Sequence, residues 1–237
     1  MSNINGKVVF ITGAGSGIGR ATAIKLANAG AKVFSLDLNA DNLETLRSEL
    51  GADKFAFMVG SVAEVSAVEG AFLACAETFG PVDVLINNAG LGIPTPDLST
   101  ADFEAYQKMV DVNMTGVFLA SRAALKQMKP RGRGHILNLV SMAGQRTNPG
   151  APLYCASKFG ARGISSGLAD QMIKLGIRVS DINPGPVNSA YWGDRSVPRE
   201  KFLAVEDVAD VIIFVIGTPE YMVVREINFD SMKWLAN

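Results

Sequence analysis

The chain has 237 residues, 48% hydrophobic and 19% charged, with a formal net charge of -1. That is enough apolar material for a full core, and too little positive charge for a nucleic-acid or membrane-surface footprint. Two cysteines, Cys75 and Cys155, fit neither a disulfide framework nor a zinc site and read as core residues in a reducing compartment.

Met1 to Gly6 is polar, without the charged region, long apolar run and cleavage site of a secretory signal. No apolar run approaches bilayer-spanning length, so a soluble, cytoplasmic protein is expected. Lys7 to Thr12 is a short β-branched run stopped by glycine, the pattern of a buried strand. Gly13-Ala14-Gly15-Ser16-Gly17-Ile18-Gly19 follows, then a helical pattern from Arg20 to Ala29 with Gly30 at its C-terminal cap. Strand, glycine-rich turn and helix open a nucleotide-binding unit, in which backbone N–H groups approach a pyrophosphate at the positive end of the helix. Gly19 would allow close packing of helix on strand. The spacing is not a strict Gly-x-Gly-x-x-Gly. Nor is it a P-loop, because Arg20-Ala21 stands where Lys-Ser/Thr is required.

Lys32 to Leu36 reads as the second strand, ended by Asp37. An acid about twenty residues beyond the glycine turn is where a carboxylate accepts from an adenosine ribose, and a capping or loop acid is the open alternative. A helix from about Asn39 to Leu50, a strand over Lys54 to Val59 and a helix over Ala63 to Phe79 come next. Val82 to Ile86 is a fourth strand, ending in Asn87-Asn88-Ala89-Gly90. After a loop from Leu91 to Pro96, Ser99 and Asp102 suggest a capping box that opens a long helical region to Met128.

Arg131 and Arg133 lie in a basic turn read as a solvated loop. The fifth strand, His135 to Val140, is closed by Ser141; its His135, the only histidine, is expected at a surface or edge. A loop over Gln145 to Pro152 feeds the helix carrying Tyr154 and Lys158. A strand over Ile177 to Ile182, stopped by Asn183-Pro184-Gly185, precedes a loop to about Lys201. A helix over Val205 to Ile216 and a strand over Val223 to Phe229 complete the pattern, with a tail to Asn237. Alternating helices and continuously apolar strands specify an α/β, Rossmann-type fold. It is one domain over residues 1–237, a doubly wound parallel sheet of about seven strands with helices on both faces.

The chemistry centres on Tyr154 and Lys158. Four residues apart on a helix, they share a face. A free phenol, with a pKa of about 10, is a poor base at neutrality, and a neighbouring ammonium lowers that value. The Ser141 hydroxyl could then hold a substrate oxygen beside the phenol. Met109 and Met114 read as core or interface fillers.

In order along the chain, the glycine turn from Thr12, Asn87-Asn88-Ala89-Gly90, Ser141 with Tyr154-Cys155-Ala156-Ser157-Lys158, and Asn183-Pro184-Gly185 resemble the short-chain dehydrogenase/reductase family. Asn113, within Val112-Asn113-Met114-Thr115-Gly116, resembles the family's catalytic asparagine. The resemblance implies an oxidoreductase moving hydride between nicotinamide C4 and a carbonyl or alcohol carbon, with no metal. Tyr154 would be the general acid or base and Ser141 the substrate-oxygen partner. Lys158 would hold the nicotinamide ribose, and Asn113 would help to carry protons to solvent through water.

Cofactor contacts are implied at Gly13, Ser16, Gly17, Ile18, Gly19, Asp37, Ser61, Val62, Asn87, Ala89, Gly90, Pro184, Gly185 and Val187, besides Tyr154 and Lys158. Asn88 is open to a structural role between strands. Asp37, with neutral Ser16 and Leu38 in the positions that favour NADP when basic, implies NAD over NADP. Many relatives carry Asp near Ser61 and Thr after the Pro-Gly pair; which of Asn188 and Ser189 replaces the latter is open. A short substrate-covering segment at about 186–203, with Tyr191 and Trp192, implies a small, mostly apolar substrate, unless those rings pack elsewhere. Relatives assemble as tetramers or dimers. The alternative reading is a non-catalytic NAD(H)-binding redox sensor or scaffold on the same fold.

Overall fold

The computed structural model describes residues 4–236, so Met1 to Asn3 of the segment read for a signal, and Asn237, lie outside the described residues. Seven parallel strands form one sheet in the order β3-β2-β1-β4-β5-β6-β7. They are β1 (Val8–Thr12), β2 (Lys32–Asp37), β3 (Phe55–Val59), β4 (Val84–Asn87), β5 (Gly134–Leu139), β6 (Ile177–Pro184) and β7 (Glu226–Phe229). The chain winds outward from β1 in one direction, then returns to β4 on its other side. This reversal opens a crevice at the carboxyl ends of β1 and β4, where such sheets receive ligands.

Side chains alternate across the sheet with period two, and both faces are buried. Val8, Phe10, Phe34, Leu85, Ile136 and Val179 meet helices α3 (Val65–Phe79), α5 (Gly116–Met128) and α6 (Pro152–Met172). The Phe10 ring stacks on Phe72 of α3 with centroids 4.1 Å apart. Val9, Ile11, Val33, Ile86, Leu137 and Ile182 meet α1 (Gly17–Asn28), α2 (Ala40–Leu50) and α7 (Val205–Ile216) on the other face. Cys75 belongs to the first cluster, and burial pushes its thiol up to about 12, while Cys155 is also buried and free. Among the described residues no helix is long and apolar enough to cross a membrane, and no cluster of potential metal ligands occurs.

Several local expectations are corrected. The capping box at Ser99 does not form: Ser99 donates to Asp97, and Asp102 itself caps α4 (Phe103–Val110) by accepting from Ala105 N–H at 3.0 Å. The long helix to Met128 is interrupted by a π turn, Asp111–Thr115, between α4 and α5. His135 is 2% exposed, because β5 lies between β4 and β6 and even its second residue is covered; its Nε2 meets Ser180 Oγ at 2.8 Å. Arg131 is not simply solvated but pairs with Asp83 at 2.8 Å. The last strand begins at Glu226 rather than Val223. The preceding turn is wrapped around buried Arg178, which donates to the carbonyls of Thr218, Pro219 and Met222.

Candidate active site

At the carboxyl ends of β4, β5 and β6 lies a cleft of about 680 Å³ whose lining includes Ser141, Tyr154 and Lys158. Each side chain is placed by a distinct element. Ser141 follows β5 and caps a short turn, Met142–Gly144, accepting from Ala143 N–H at 3.0 Å. Its φ of +138° makes it the one non-glycine residue with positive φ among those described. Backbone held in that region costs about 1–3 kcal/mol and is tolerated where the surroundings over-determine it.

Tyr154 and Lys158 come from the first turns of α6, which Pro152 opens at a position where a missing N–H costs nothing. The Tyr154 phenol faces Ser141 and Tyr191, which both act on its ionisation. Lys158 is 6% exposed, stands 5.9 Å from the Tyr154 ring centroid and donates to the Leu139 carbonyl at 2.8 Å. Burial pushes its ammonium down to about 8. Tyr154 departs from expectation. Burial holds its phenol well above the ordinary value, Tyr191 adds to that, and only Ser141 works the other way.

Asn113 sits in the π turn, 1% exposed. Its amide accepts from Leu91 N–H at 2.8 Å and donates to Leu91 O at 2.7 Å and to Ser157 Oγ at 2.9 Å. The extra residue of a π turn breaks the regular helical ladder, a device frequent at functional sites. A methyl built on Gly90 would lie 3.6 Å from both Asn113 Oδ1 and Lys158 Nζ, so both side chains approach Gly90.

The glycine turn fits a dinucleotide. Gly13 (φ +76°) and Gly17 (φ +54°) take backbone angles that favour glycine. A Cβ at Gly19 would fall 2.1 Å from Gly13 O, so only glycine permits this packing. No acid lies in the first turn of α1, and the capping residue Ser16 is exposed and forms no side-chain cap, so no residue of the helix itself opposes its positive end. The Asp37 carboxylate is aimed at this turn, accepting from Gly15 N–H at 2.8 Å and from Asn39 N–H at 2.9 Å. Ile18, Gly90, Pro184, Gly185 and Val187 line the cleft itself.

Other expected contacts are not among the residues that line this cleft. The Asn87 side chain is turned into the core, where its amide N–H groups donate to Ser121 and Asn138 and its buried Oδ1 has no partner. Asn88 ties β4 to β1 through the Thr12 and Gly13 carbonyls, and Ala89 N–H donates to Thr12 Oγ1. Ser61 Oγ accepts from Ala63 N–H, and the Val62 side chain packs toward Gly116. Of the pair after Val187, Ser189 faces the cleft while Asn188 accepts from Arg199. The sequence reading did not single out Arg146 and Arg195, which also line the cleft. Arg146 is held by Asp230 at 3.1 Å, and no motif marks either arginine.

A family model described as short chain dehydrogenase matches residues 7–199. An uncharacterised oxidoreductase of Staphylococcus saprophyticus is 33% identical over 231 residues, covering 96% of this chain and 98% of the relative. One of Staphylococcus aureus is 30% identical over 228 residues, covering the same shares. A 3-ketoacyl-(acyl-carrier-protein) reductase from Brucella melitensis, complexed with NADH, superposes with a TM-score of 0.90 at 28% identity, covering 97% of this chain and 99% of that one. An alcohol dehydrogenase from Thermococcus sibiricus, complexed with 5-hydroxy-NADP, gives 0.88 at 28%, covering 96% and 97%. A serine dehydrogenase from Escherichia coli gives 0.84 at 28%, covering 94% and 96%.

Proposed function

The chain belongs to the short chain dehydrogenase family, and from that premise we propose that it is an NAD(H)-dependent oxidoreductase interconverting a small alcohol and its carbonyl compound. The observation that carries the reading is the meeting of Ser141, Tyr154 and Lys158 at one cleft, with Asn113 buried behind Gly90 and a turn shaped for a dinucleotide alongside. When bound, the nicotinamide supplies or takes up the hydride. Tyr154 gives a proton to the substrate oxygen in reduction and removes it in oxidation. Burial keeps the phenol protonated, which suits it to donate. Ser141 holds the same oxygen from its other side. Lys158, close to Gly90 and backed by the Leu139 carbonyl, keeps a positive charge beside the phenol and reaches the nicotinamide ribose. Asn113 fixes the loop at Leu91 and, with water, passes protons outward.

Asp37 is the reason for proposing NAD. Its carboxylate stands at the lip of the turn, and the nearby cations are engaged elsewhere: Arg20 pairs with Glu49, and Lys32 donates to Asp53 O. A cleft of about 680 Å³ that must also admit a nicotinamide leaves room for a small substrate. Tyr191 and Trp192 offer it an aromatic wall, to which Arg146 and Arg195 add positive charge. Exposed Phe118 on α5 and Phe159 on α6 suit a dimer or tetramer built on those helices, and two buried free thiols suit the cytoplasm. The test is nicotinamide absorbance over a panel of alcohols and ketones with both NAD and NADP. Turnover supports the reading, whereas silence with tight NADH binding would favour a sensor.

A further inference from the structure

The segment after β6 enters the site through one side chain. Tyr191 belongs to a short turn, Ala190–Trp192, and its ring centroid lies 5.8 Å from that of Tyr154. The two phenols act on each other's ionisation, and their rings are tilted by 51°. The Tyr191 hydroxyl rests on Gly92, where a Cβ would lie 1.7 Å from its oxygen and 2.3 Å from Cζ. Any larger residue there would expel the ring. Gly92 is next to Leu91, whose N–H and carbonyl are both gripped by Asn113, so the seat is fixed to the catalytic helix region.

The outer side of the ring is held as firmly. The Arg195 guanidinium lies 5.0 Å from the Tyr191 centroid and 4.9 Å from that of Trp192, and it donates to both of their carbonyls. Trp192 donates through Nε1 to Val187 O at 2.8 Å. Its ring meets Phe202 at 5.1 Å, and Phe202 meets Trp234 at 5.5 Å. Tyr191 is thus the inner end of a row of rings running from the chain's last helix to the phenol of Tyr154.

We propose that Tyr191 is the specificity-determining residue of the cleft: its hydroxyl, seated on Gly92, holds the place of the substrate oxygen, and its ring is the wall that limits the substituents. The inference rests on the oxidoreductase reading above. A proton-transferring phenol must come within about 2.6–3.2 Å of the oxygen it serves. Here the Tyr154 phenol interacts with the side chains of Ser141 and Tyr191, and all three line the same cleft. Since Ser141 also serves the substrate, the position held by the Tyr191 hydroxyl is the one a substrate alcohol or carbonyl oxygen must take. A phenol hydroxyl makes the same bonds as an alcohol, so the protein supplies its own stand-in. Substrate enters by displacing that hydroxyl, and the ring, pinned by Arg195 and Trp192, remains beside the substituents.

The experiment compares wild type, Tyr191→Phe, Tyr191→Ala and Gly92→Ala on methyl ketones of increasing size, from butanone to acetophenone. NADH fluorescence serves as the check that each variant is folded. Gly92 has no left-handed backbone requirement, so alanine there acts on Tyr191 rather than on the chain. Tyr191→Phe should lower KM several-fold with kcat nearly kept, because no internal hydroxyl competes. Tyr191→Ala and Gly92→Ala should each raise the kcat/KM ratio of the largest to the smallest ketone by about tenfold or more, the scale of a pocket wall removed. An active wild type with unchanged size ratios in both alanine variants would overturn the proposal and leave the oxidoreductase reading standing. A wild type that binds NADH but reduces none of the ketones, and oxidises no alcohol, would instead defeat that reading and this inference with it.

Discussion

Asn113 holds both backbone polar groups of Leu91 with a single amide, accepting its N–H at 2.8 Å and donating to its carbonyl at 2.7 Å. The pair makes one residue of the loop after β4 an extension of the π turn. Replacing Asn113 with alanine leaves those two groups and Ser157 Oγ without this partner. Each unmet buried group costs about 1–3 kcal/mol. We therefore expect Asn113→Ala to lower the unfolding midpoint markedly, and to lose activity even where it is folded. A denaturation curve superimposable on wild type would refute the anchoring role.

Tyr154→Phe should retain cofactor binding and lose turnover by about 10²–10⁴-fold or more, the usual worth of a positioned acid or base. The pH profiles carry a second expectation. Reduction needs the phenol protonated, and oxidation needs it ionised. Because burial raises Tyr154 above its ordinary value, reduction should be flat across neutrality while oxidation keeps climbing into alkaline solution. Initial rates in both directions from one enzyme preparation decide this; an oxidation plateau near neutrality would contradict it.

Cofactor choice is predicted to turn on Asp37. The 2′-phosphate of NADP would stand against a carboxylate already fixed by Gly15 and Asn39, with Arg20 paired to Glu49 and Lys32 held by Asp53 O. Asp37→Ser should shift the kcat/KM ratio toward NADP by about tenfold or more, a change of roughly 1.4 kcal/mol. If wild type prefers NADP, or the ratio does not move, another residue discriminates.

His135 offers a readout of the sheet itself. Burial first, then the charges of Arg178 and Lys7, hold its folded pKa well below the ordinary value. The unfolded chain therefore takes up the proton at a higher pH than the folded one does. Stability from this group is full above about 6.5, the unfolded value, and is lost as pH falls below it. As the only histidine in the chain, it can be followed by NMR without assignment. A titration midpoint near the free value would show that the ring is not held neutral.

The regular parts of this molecule were legible because local pattern and tertiary context agree. The helix over Val205–Ile216 carries its apolar face at helical spacing and ends where expected. The order of glycine turn, Tyr154 and Lys158 likewise locates the cleft. What was hidden depends on contacts between distant residues. Asp102 caps α4 because Ser99 is drawn to Asp97, a choice the spacing leaves open. His135 looked like an edge residue because sequence order does not reveal that β5 is flanked on both sides. The spacing of Tyr154 and Lys158 does not reveal the burial that holds the phenol above its ordinary value. Gly92 lies in a loop without a motif, and its role depends on Tyr191, about a hundred residues later in the chain, which rests on it.

The π turn at Asp111–Thr115 also sets how this chain tolerates changes in length. An α-helix advances about 100° per residue, so one surplus residue rotates everything before it relative to everything after it. Deleting a single residue within this turn should heal the ladder into one continuous helix from α4 to α5. Asn113 would then swing off its bearing on Leu91. Circular dichroism should record as much helix as before, or more, while NADH oxidation disappears; retained activity would show that the irregularity is incidental. A length change can thus dismantle the site while every side chain in it keeps its identity.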